Sequence, residues 1–427
     1  MQHLKLNYGK GHADISFPDS HAPRILKSQG NLEPVLDPRE KIIGLLENPT
    51  AGIPLVQIIE EKKREKAEPE VAIMINDLSR STPSKVILPP LLETLEREGI
   101  PAGSISIVIA TGTHRDLSDR EVEGLLGKDI PSRYFVTSHD CRASDLARAG
   151  TLSTDNVLLL NSLVYHADIR ISIGEILFHY FAGYAGGRKS LCPGVAGWDT
   201  IMRNHSLMTH PKAALGNLKG NPVHLELIEA LHFCPLDFII NVICNEKKEL
   251  VSVVTGDPIK AWEEGLKIFR AMNTVNLEDR SRVVIASSGG FPKDINIYQA
   301  QKAFEMAGRA VSDGGSLVVF AECPEQYGSE TFREWAETGM TAEAVIERFE
   351  KGFQLGAHKL YYLARMSRRI NLFLVSSLSE EVSAKIFCRK IHNWDEGLQV
   401  LEVIHGRDFS PLVIPQAGMV LPEIKTS

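Results

Sequence analysis

Short apolar stretches rich in β-branched residues alternate along the chain with amphipathic stretches of helical length, and this alternation limits the fold more than any other feature. The apolar stretches predict strands at residues 71–75, 105–110, 156–160, 167–173, 238–244, 282–287, 316–321 and 371–376. The amphipathic stretches predict helices at residues 89–98, 119–126, 222–232 and 298–311. Because strands that alternate with helices form βαβ units, the sequence predicts an α/β fold of parallel-rich sheets flanked by helices.

The chain has 427 residues, more than one hydrophobic core usually spans, so two domains are expected. A polar stretch at residues 273–280 separates two βα series. We therefore place the first domain at residues 1–275 and the second at residues 276–408, each with a parallel-rich sheet flanked by helices. The tail, residues 409–427, carries three prolines and one apolar segment. Composition leaves open whether this tail returns to the first domain.

Charge and composition argue against several classes of protein. The net charge is -7, and no local basic stripe offers a surface for nucleic acid. Neither a secretory signal nor an apolar run of membrane-spanning length is evident, so we expect a cytoplasmic protein without a membrane partner. The six cysteines are scattered without a CxxC pair, which indicates reduced and mostly buried thiols.

The densest group of polar and glycine residues lies at residues 174–197, directly after a predicted strand. In open α/β sheets, ligands bind at the carboxyl ends of strands. Glycines in this loop would let the backbone bend and expose N–H groups to an anion, and they are Gly183, Gly186 and Gly187. Arg188 and Lys189 add positive charge, so a ligand that carries phosphate is expected.

This loop has two other interpretations. A phosphate-binding loop of a nucleotide triphosphatase requires glycine immediately before the lysine, and this chain has Arg188 before Lys189. The second interpretation is a glycine-rich loop that only turns the chain. The loop alone does not decide between a ligand site and a turn.

Two further polar loops follow neighbouring predicted strands. Asp77 and Arg80 belong to the segment DLSR, which follows one strand, and His114 belongs to GTHR, which follows the next. His179 lies in the glycine-rich loop itself. A single loop histidine is as often structural as catalytic. The shared position of all three loops at one edge of a sheet makes His114 and His179 candidate catalysts.

Two more segments carry candidate residues. His205 follows Asn204 near the start of a helical stretch and is uninformative by itself. Tyr298 opens a predicted helix on which Gln299 and Lys302 share a face, three positions apart. Without other information, a solvated helix face is the ordinary interpretation of such a pattern.

Taken together, five segments resemble the signature segments of the nickel-dependent lactate racemase family, in the same order and at similar spacing. They are DLSR at 77–80, GTHR at 112–115, FHYFAGYAGGRKS at 178–190, NH at 204–205 and YQAQK at 298–302. The resemblance spans most of the chain. It implies a racemase or epimerase that inverts the carbinol carbon of a 2-hydroxy acid.

The resemblance also implies a cofactor, the nickel-pincer nucleotide, which is Ni(II) pyridinium-3,5-bisthiocarboxylic acid mononucleotide. Lys189 matches the lysine that is joined covalently to it, and His205 matches the imidazole ligand of the metal. Soft sulfur donors with a neutral imidazole suit Ni(II). Gly186 and Gly187 would line the cofactor. The proteins that synthesise the cofactor would be partners.

The implied chemistry moves the C2 hydrogen of the substrate as a hydride to the pyridinium ring, while a histidine takes the hydroxyl proton. His114 and His179 match the two acid/base histidines that face opposite sides of the substrate. Asp77 is expected to fix Arg80 or the cofactor ribose. Arg80 would also hold the substrate carboxylate.

In the second domain, the resemblance matches Tyr298, Gln299 and Lys302 to residues that hold the substrate, which places the active site in the cleft between the domains. Tyr361 and Tyr362 are candidates for the pocket wall. The sequence leaves open which 2-hydroxy acid is the substrate, and it leaves open the oligomeric state.

Two other functions remain as alternatives. A dehydrogenase with a free nicotinamide cofactor would need a GxGxxG turn followed by an acidic residue, and none is found. A non-catalytic carrier of the nickel cofactor would not need both His114 and His179.

Overall fold

A computed structural model of the chain describes residues 1–28, 32–80, 82–245 and 247–425. Its strands are β1 (Gln2–Tyr8), β2 (Gly11–Phe17), β3 (Arg24–Ile25), β4 (Val71–Asn76), β5 (Ile105–Ala110), β6 (Phe135–Ser138), β7 (Ala147–Thr151), β8 (Val157–Leu160), β9 (Ile169–Glu175), β10 (Phe178–His179), β11 (Gly183–Tyr184), β12 (Phe238–Cys244), β13 (Leu250–Gly256), β14 (Thr274–Leu277), β15 (Ser281–Ser287), β16 (Val311–Phe320), β17 (Asn371–Val375), β18 (Arg389–Ile391), β19 (Leu412–Ile414) and β20 (Leu421–Ile424).

The α-helices are interspersed among these strands. They are α1 (Pro38–Glu47), α2 (Leu55–Glu65), α3 (Ser84–Arg97), α4 (Asp119–Leu126), α5 (Asp129–Arg133), α6 (Ser162–His166), α7 (Trp198–Ser206), α8 (Pro222–Phe233), α9 (Lys260–Asn273), α10 (Ile297–Gly308), α11 (Glu330–Glu337), α12 (Ala342–Lys351), α13 (His358–Ser367), α14 (Glu380–Lys385) and α15 (Trp394–His405). Among the described residues, no helix is both long enough and apolar enough to cross a bilayer.

The chain divides into two compact units. We call residues 31–271 the central unit, and residues 1–30 together with 272–427 the terminal unit. Each unit contains one six-stranded sheet. The predicted α/β class with two parallel-rich sheets is therefore confirmed.

The sheet of the central unit has the strand order β13-β12-β9-β4-β5-β6. Its pairs are parallel except β12 with β13, which is antiparallel. Strand β4 lies at the centre and pairs with β5 on one side and β9 on the other. Because helices cover both faces of such a sheet, its strands are apolar at nearly every position, as β12 is. The strand predicted at 156–160 differs, since β8 pairs with β7 in a separate two-stranded ribbon.

Helix α3 begins earlier than the sequence predicts. A start at Pro89 is the natural prediction because proline suits the first turn, yet the helix starts at Ser84 and contains Pro89 and Pro90 within it. Two backbone N–H donors are thereby lost from the helix. Ile87 and Leu91 on the same helix are fully buried, and this burial offsets the loss.

The sheet of the terminal unit is parallel throughout and has the order β18-β17-β16-β15-β19-β3. Both ends of the chain contribute to it, because β19 pairs with β15 on one side and β3 on the other. The division at residue 275 therefore needs correction at the N-terminus, since residues 1–30 belong to the terminal unit. The tail belongs to the terminal unit as well, in which β19 pairs with β3 near the N-terminus. Backbone pairing between distant segments, which composition does not show, decides both points.

The six cysteines are free thiols, and all six are buried. This confirms the interpretation of the cysteine pattern as reduced core residues.

Candidate active site

Three loops leave neighbouring parallel strands at one edge of the central unit's sheet. They follow β4, β5 and β9, which lie side by side. Parallel strands end at the same edge, so the polar segments after them share one location. The predicted convergence of DLSR, GTHR and the glycine-rich loop is what the topology gives.

The loop after β4 is organised around the carboxylate of Asp77, which is buried. Its Oδ1 accepts hydrogen bonds from the backbone N–H of Ser79 at 3.1 Å and from the Ser79 hydroxyl. Arg80 turns its guanidinium back onto the same loop, with Nη1 3.2 Å from the Ser79 carbonyl oxygen. The local sequence Asp-Leu-Ser-Arg thus closes a small turn that holds the carboxylate in place.

The imidazole of His114 contacts Asp77 directly, with 2.6 Å between Nδ1 and Oδ2. Burial by itself would raise the pKa of Asp77, but the hydrogen bonds from His114 and Ser79 outweigh it, so the pKa lies below its usual value. The His114 side chain remains more than half exposed. An ionised, buried carboxylate behind an exposed imidazole orients that ring for proton transfer. The sequence suggested Arg80 or a ribose as the partner of Asp77, and the structure shows His114.

The loop after β5 is joined to the glycine-rich loop through its backbone. Gly112 has a φ of +59° and donates its N–H to the Gly194 carbonyl at 2.9 Å. The His114 N–H in turn donates to the Thr111 carbonyl at 3.0 Å. These bonds fix the position of His114 relative to the loop that carries Lys189.

Gly186 and Gly187 allow the loop backbone to pack closely against its neighbours, a role that the sequence did not indicate. Both have positive φ, +82° and +54°. A Cβ on Gly186 would lie 2.8 Å from Oδ1 of Asn241, and that oxygen already accepts the N–H of Gly187 at 2.7 Å. The expectation that the Gly187 amide is exposed to an anion is therefore wrong. Asn241, on the neighbouring strand β12, holds this amide inside the protein.

Arg188, which the sequence analysis expected to add positive charge for a ligand, is completely buried. Its guanidinium donates to His224 Nδ1 at 3.1 Å and packs on the Trp262 ring at 3.9 Å from the centroid. It also donates to three carbonyl oxygens of the loop, those of Ala182, Tyr184 and Gly186. Within the described residues, no carboxylate lies at ion-pair distance from it. Burial lowers the pKa of Arg188 to about 9. The loop is therefore built around a buried positive charge.

Lys189 follows Arg188 and is half-buried. Its Nζ lies 5.7 Å from the centroid of the Phe181 ring, and no described carboxylate pairs with it. Burial lowers the pKa of Lys189 to about 7, and the charges of Arg188 and Arg80 act in the same direction. A substantial fraction of this amine is neutral near pH 7 and is able to act as a nucleophile.

His205 lies on α7, and its ring packs against Phe181, with centroids 4.9 Å apart. Its Nδ1 is buried and has no hydrogen-bond partner among the described residues. Burial lowers the pKa of His205 to about 3, and Lys189 acts in the same direction, while the Ile201 backbone opposes the shift. The ring is therefore neutral at physiological pH, the state in which imidazole binds a metal. Phe181 contacts the side chains of both Lys189 and His205.

This arrangement fits a tethered nickel group. Lys189 offers a neutral amine, and His205 offers a neutral imidazole with an unpartnered buried nitrogen. Among the described residues, no three His, Cys, Asp or Glu side chains are placed to hold a metal ion together. A metal bound by His205 would therefore take its other ligands from a bound molecule.

His179 lies in the short hairpin of β10 and β11, in which it pairs with Gly183. Its Nδ1 accepts the N–H of Ala182 at 3.2 Å. The ring stacks on Tyr180 and meets Phe181 edge-on, with centroids 5.0 and 4.5 Å away. His179 and His205 thus contact the same phenyl ring.

Helix α7 is fixed by a buried carboxylate on α8, that of Glu226. Asn204, immediately before His205, donates to it at 2.5 Å. Asn156 and Thr154 donate to the same carboxylate, Asn156 at 3.1 Å. The pair Asn204-His205 therefore combines an anchoring residue with the candidate ligand. Nothing in the local sequence pointed to Glu226.

The candidate residues of the terminal unit lie at the start of α10, where the Asn296 side chain accepts the N–H of Gln299 at 3.0 Å. Gln299 and Lys302 are exposed, and Tyr298 is half-buried. The ammonium group of Lys359 lies 5.3 Å from the centroid of the Tyr298 ring. The structure thus brings Tyr298, Gln299 and Lys302 together on the first turns of one helix.

Lys359 is buried and was missed by the sequence analysis. Its Nζ donates to Oε1 of Gln301 at 2.9 Å. Burial lowers the pKa of Lys359 to about 7, and Lys302 acts in the same direction. It lies two positions before Tyr361, which the sequence analysis named as a candidate for the pocket wall.

The suggestion that Tyr361 and Tyr362 line a pocket is not supported. Both side chains are buried in α13, and Tyr361 stacks on Phe349 with 4.5 Å between ring centroids. They are core residues of the terminal unit.

The fold and the site define an α/β enzyme with a histidine pair and an enclosed lysine at the carboxyl edge of a parallel sheet. Comparison with known proteins agrees. The family description "Lactate racemase N-terminal domain" matches residues 8–216, and "Lactate racemase C-terminal domain" matches residues 277–421. The chain belongs to the lactate racemase family, and it is an isomerase with racemase activity.

Individual relatives support this assignment. The lactate racemase of Thermoanaerobacterium thermosaccharolyticum is 30% identical over 430 residues, covering 99% of both chains. The lactate racemase of Lactiplantibacillus plantarum is 32% identical over 336 residues, covering 78% of this chain and 77% of that protein. The apoprotein structure of the T. thermosaccharolyticum enzyme superposes with a TM-score of 0.91 at 29% identity, covering 99% of this chain and all of the other. A Thermotoga maritima protein at 17% identity, with a TM-score of 0.64, shares the fold.

Proposed function

We propose that this chain racemises or epimerises a 2-hydroxy acid, lactate or a related acid, with a nickel-pincer nucleotide joined covalently to Lys189. The observation that carries the proposal is the placement, around Phe181, of an amine with a neutral fraction near pH 7 and a neutral imidazole. These are the Lys189 amine, with a pKa of about 7, and the His205 imidazole, with an unpartnered Nδ1. The two relatives named above are lactate racemases.

The residues of this chain would hold the group in two ways. Lys189 would carry it through a covalent bond formed by its neutral amine, and His205 would bind its metal. When bound, the group supplies a hydride acceptor, which amino-acid side chains lack. The buried charge of Arg188 would favour an anionic ligand beside Lys189. Gly186 would contribute by its close packing against Asn241, which shapes the loop.

Proton transfer would fall to the two histidines. His114 is oriented by Asp77 and is exposed, so it is suited to exchange a proton with a substrate hydroxyl. His179 would serve from the glycine-rich loop. Arg80, on the same loop as Asp77, would hold the substrate carboxylate with its guanidinium.

Tyr298, Gln299 and Lys302 are the substrate-binding residues that we propose for the terminal unit. The proposal is supported by their grouping on the first turns of α10 and by the exposure of Gln299 and Lys302. The cytoplasmic location and the need for cofactor-synthesis proteins stay predictions.

The covalent claim is tested by intact mass and peptide mapping of protein from a host that supplies nickel and the cofactor-synthesis enzymes. We expect an added mass on the peptide that contains Lys189, and none after Lys189→Arg. Lys359→Arg is the matched control, because burial lowers the pKa of Lys359 to about 7 as well. Active wild-type enzyme with an unmodified mass would overturn the covalent attachment.

The reaction is tested by incubating the loaded protein with single enantiomers of several 2-hydroxy acids and following optical rotation. Loss of optical rotation without net oxidation of the 2-hydroxy acid supports a racemase. Formation of a 2-keto acid that depends on added NAD would support the dehydrogenase alternative. Binding of nickel and cofactor without loss of rotation on any substrate would support a carrier.

A further inference from the structure

The Nδ1 atoms of the two candidate acid/base histidines have partners of opposite kind. Nδ1 of His114 lies 2.6 Å from a carboxylate oxygen of Asp77. An ionised carboxylate only accepts hydrogen bonds. Nδ1 of His114 must therefore carry a hydrogen, and in the neutral ring the lone pair is then on Nε2.

Nδ1 of His179 is in the reverse situation. It lies 3.2 Å from the backbone nitrogen of Ala182, whose N–H points toward it. A backbone N–H only donates, so Nδ1 of His179 must accept with a lone pair. The single ring hydrogen of neutral His179 is then on Nε2.

We propose that the fold holds His114 and His179 in opposite tautomers before substrate binds, with Asp77 and the Ala182 amide as the two positioning groups. The catalytic meaning of this arrangement rests on the proposed function. The tautomers themselves do not depend on it.

The consequence is a resting enzyme in which one histidine is set as a base and the other as a hydrogen-bond donor. A substrate hydroxyl proton can move onto the lone pair at Nε2 of His114, while Nδ1–H stays bonded to Asp77. His179 cannot accept a proton at Nε2 in its resting tautomer. To do so it must first lose the Nε2 hydrogen to solvent and gain one at Nδ1, which breaks the bond from Ala182. Use of His179 as the base therefore includes a local rearrangement of residues 179–182.

Asp77 is suited to this positioning role because it is held independently of His114. Its Oδ1 is engaged by Ser79, while Oδ2 faces the imidazole. Removing the Ser79 hydroxyl would take away one hydrogen bond to Asp77 but leave the contact between Asp77 and His114. Removing Asp77 would leave Nδ1 of His114 without its acceptor.

The test is nitrogen-15 NMR of the imidazole rings in the full-length protein, without cofactor, with His114→Gln and His179→Gln used for assignment. Ring nitrogens with and without a bound hydrogen have well-separated nitrogen-15 chemical shifts. We expect Nε2 of His114 and Nδ1 of His179 to be the ring nitrogens without a hydrogen. We also expect a scalar coupling between His179 Nδ1 and the Ala182 amide nitrogen. The same tautomer in both rings, or an averaged mixture in both, would overturn the proposal.

Variants test the role of Asp77 separately. Asp77→Ala should move the two His114 nitrogen signals toward each other, as the ring becomes a mixture of tautomers, and should leave the His179 signals in place. Ser79→Ala, the matched control, should change the His114 signals much less. Unchanged His114 signals in Asp77→Ala would overturn the positioning role. If Asp77→Ala does not fold, the wild-type spectrum still decides the tautomers.

The NMR experiment tests the tautomers and the racemase assay tests the proposed function, so either can be overturned without the other. Opposite tautomers in a protein that racemises nothing would support the inference and remove only its catalytic meaning. Racemisation by a protein with equal tautomers would overturn the inference and leave the proposed function standing.

Discussion

At the residue scale, the site depends on groups whose local environment changes their chemistry. His205 is neutral near pH 7, and Lys189 is neutral in a substantial fraction of molecules, because burial disfavours their charged forms. Asp77 stays ionised in spite of burial because His114 and Ser79 donate to it. The same residue types on an exposed loop would have none of these properties. The function of Lys189 and His205 therefore depends on their burial beside Phe181.

Replacement of either candidate acid/base histidine should remove most of the activity. His114→Ala and His179→Ala are each expected to lower the racemisation rate by about 100-fold or more, because each removes a general acid or base. Optical rotation from each pure enantiomer is the measurement. His166→Ala, at an exposed position at the end of α6, should keep the wild-type rate. Near-normal rates in both histidine variants would show that the assignment is wrong.

Gly186 is a residue where a single methyl group should matter. Its φ of +82° and ψ of 174° suit only glycine, and a Cβ would lie 2.8 Å from Asn241 Oδ1. Gly186→Ala should lower the free energy of unfolding by about 1–3 kcal/mol. Urea denaturation measures this change. The control is Gly44→Ala in α1, where a Cβ has open space around it, and it should raise stability by about 0.5–1 kcal/mol.

At the scale of elements, helices position the site residues, and contacts near the ends of these helices hold them in place. Helix α7 carries His205 and is held through Asn204 to the buried carboxylate of Glu226 on α8. Helix α10 begins after an asparagine cap, Asn296, whose side chain accepts the N–H of Gln299. The anchoring contact lies next to the candidate site residue in both cases.

The two asparagine caps of the terminal unit allow a matched comparison. The Asn296 side chain accepts the N–H of Gln299, and that of Asn393 accepts the N–H of Glu396, each at 3.0 Å. Asn296→Ala and Asn393→Ala should each cost about 1 kcal/mol of stability. Only Asn296→Ala should also raise KM for the 2-hydroxy acid, because it loosens the first turn of α10. Equal KM values in both variants would argue against substrate binding by this turn.

At the scale of the whole molecule, the buried basic groups of the central unit couple stability to pH. His224, which accepts from Arg188, has its pKa lowered to about 3 by burial and by the charge of Arg188. The ordinary pKa of histidine is 6.5. Between pH 6.5 and 3, the unfolded chain binds a proton that the folded chain excludes. The free energy of unfolding therefore falls as the pH falls through this range.

This dependence is measurable with a conservative variant. One such proton gives a slope of up to about 1.4 kcal/mol per pH unit. His224→Asn keeps an acceptor for Arg188 but does not titrate, so urea unfolding from pH 7 to pH 4 should show a shallower slope than wild type. His3→Asn, at an exposed position in β1, should leave the slope unchanged. A wild-type slope in His224→Asn would contradict the assignment.

The sequence and the structure agree best where local periodicity carries the information. The strands β4, β5 and β12 and the helix α4 fall where alternation of apolar and amphipathic stretches places them. The strands β9, β4 and β5 are parallel members of one sheet, and parallel strands end at the same edge. The meeting of DLSR, GTHR and the glycine-rich loop was therefore predictable. The early start of α3 was not predictable, because the free energy gained by burying its apolar face exceeds the cost of two prolines within the helix.

What the sequence by itself determined is the α/β class, the family resemblance and the set of candidate site residues, since each depends on residue type and spacing along the chain. Only the tertiary structure decided the partner of Asp77, the enclosure of Arg188, the burial of Tyr361 and Tyr362, and the return of both chain ends to one sheet. These are contacts between segments far apart in sequence. Their free energy depends on which surfaces exclude water together, and that is fixed only when the whole chain has folded.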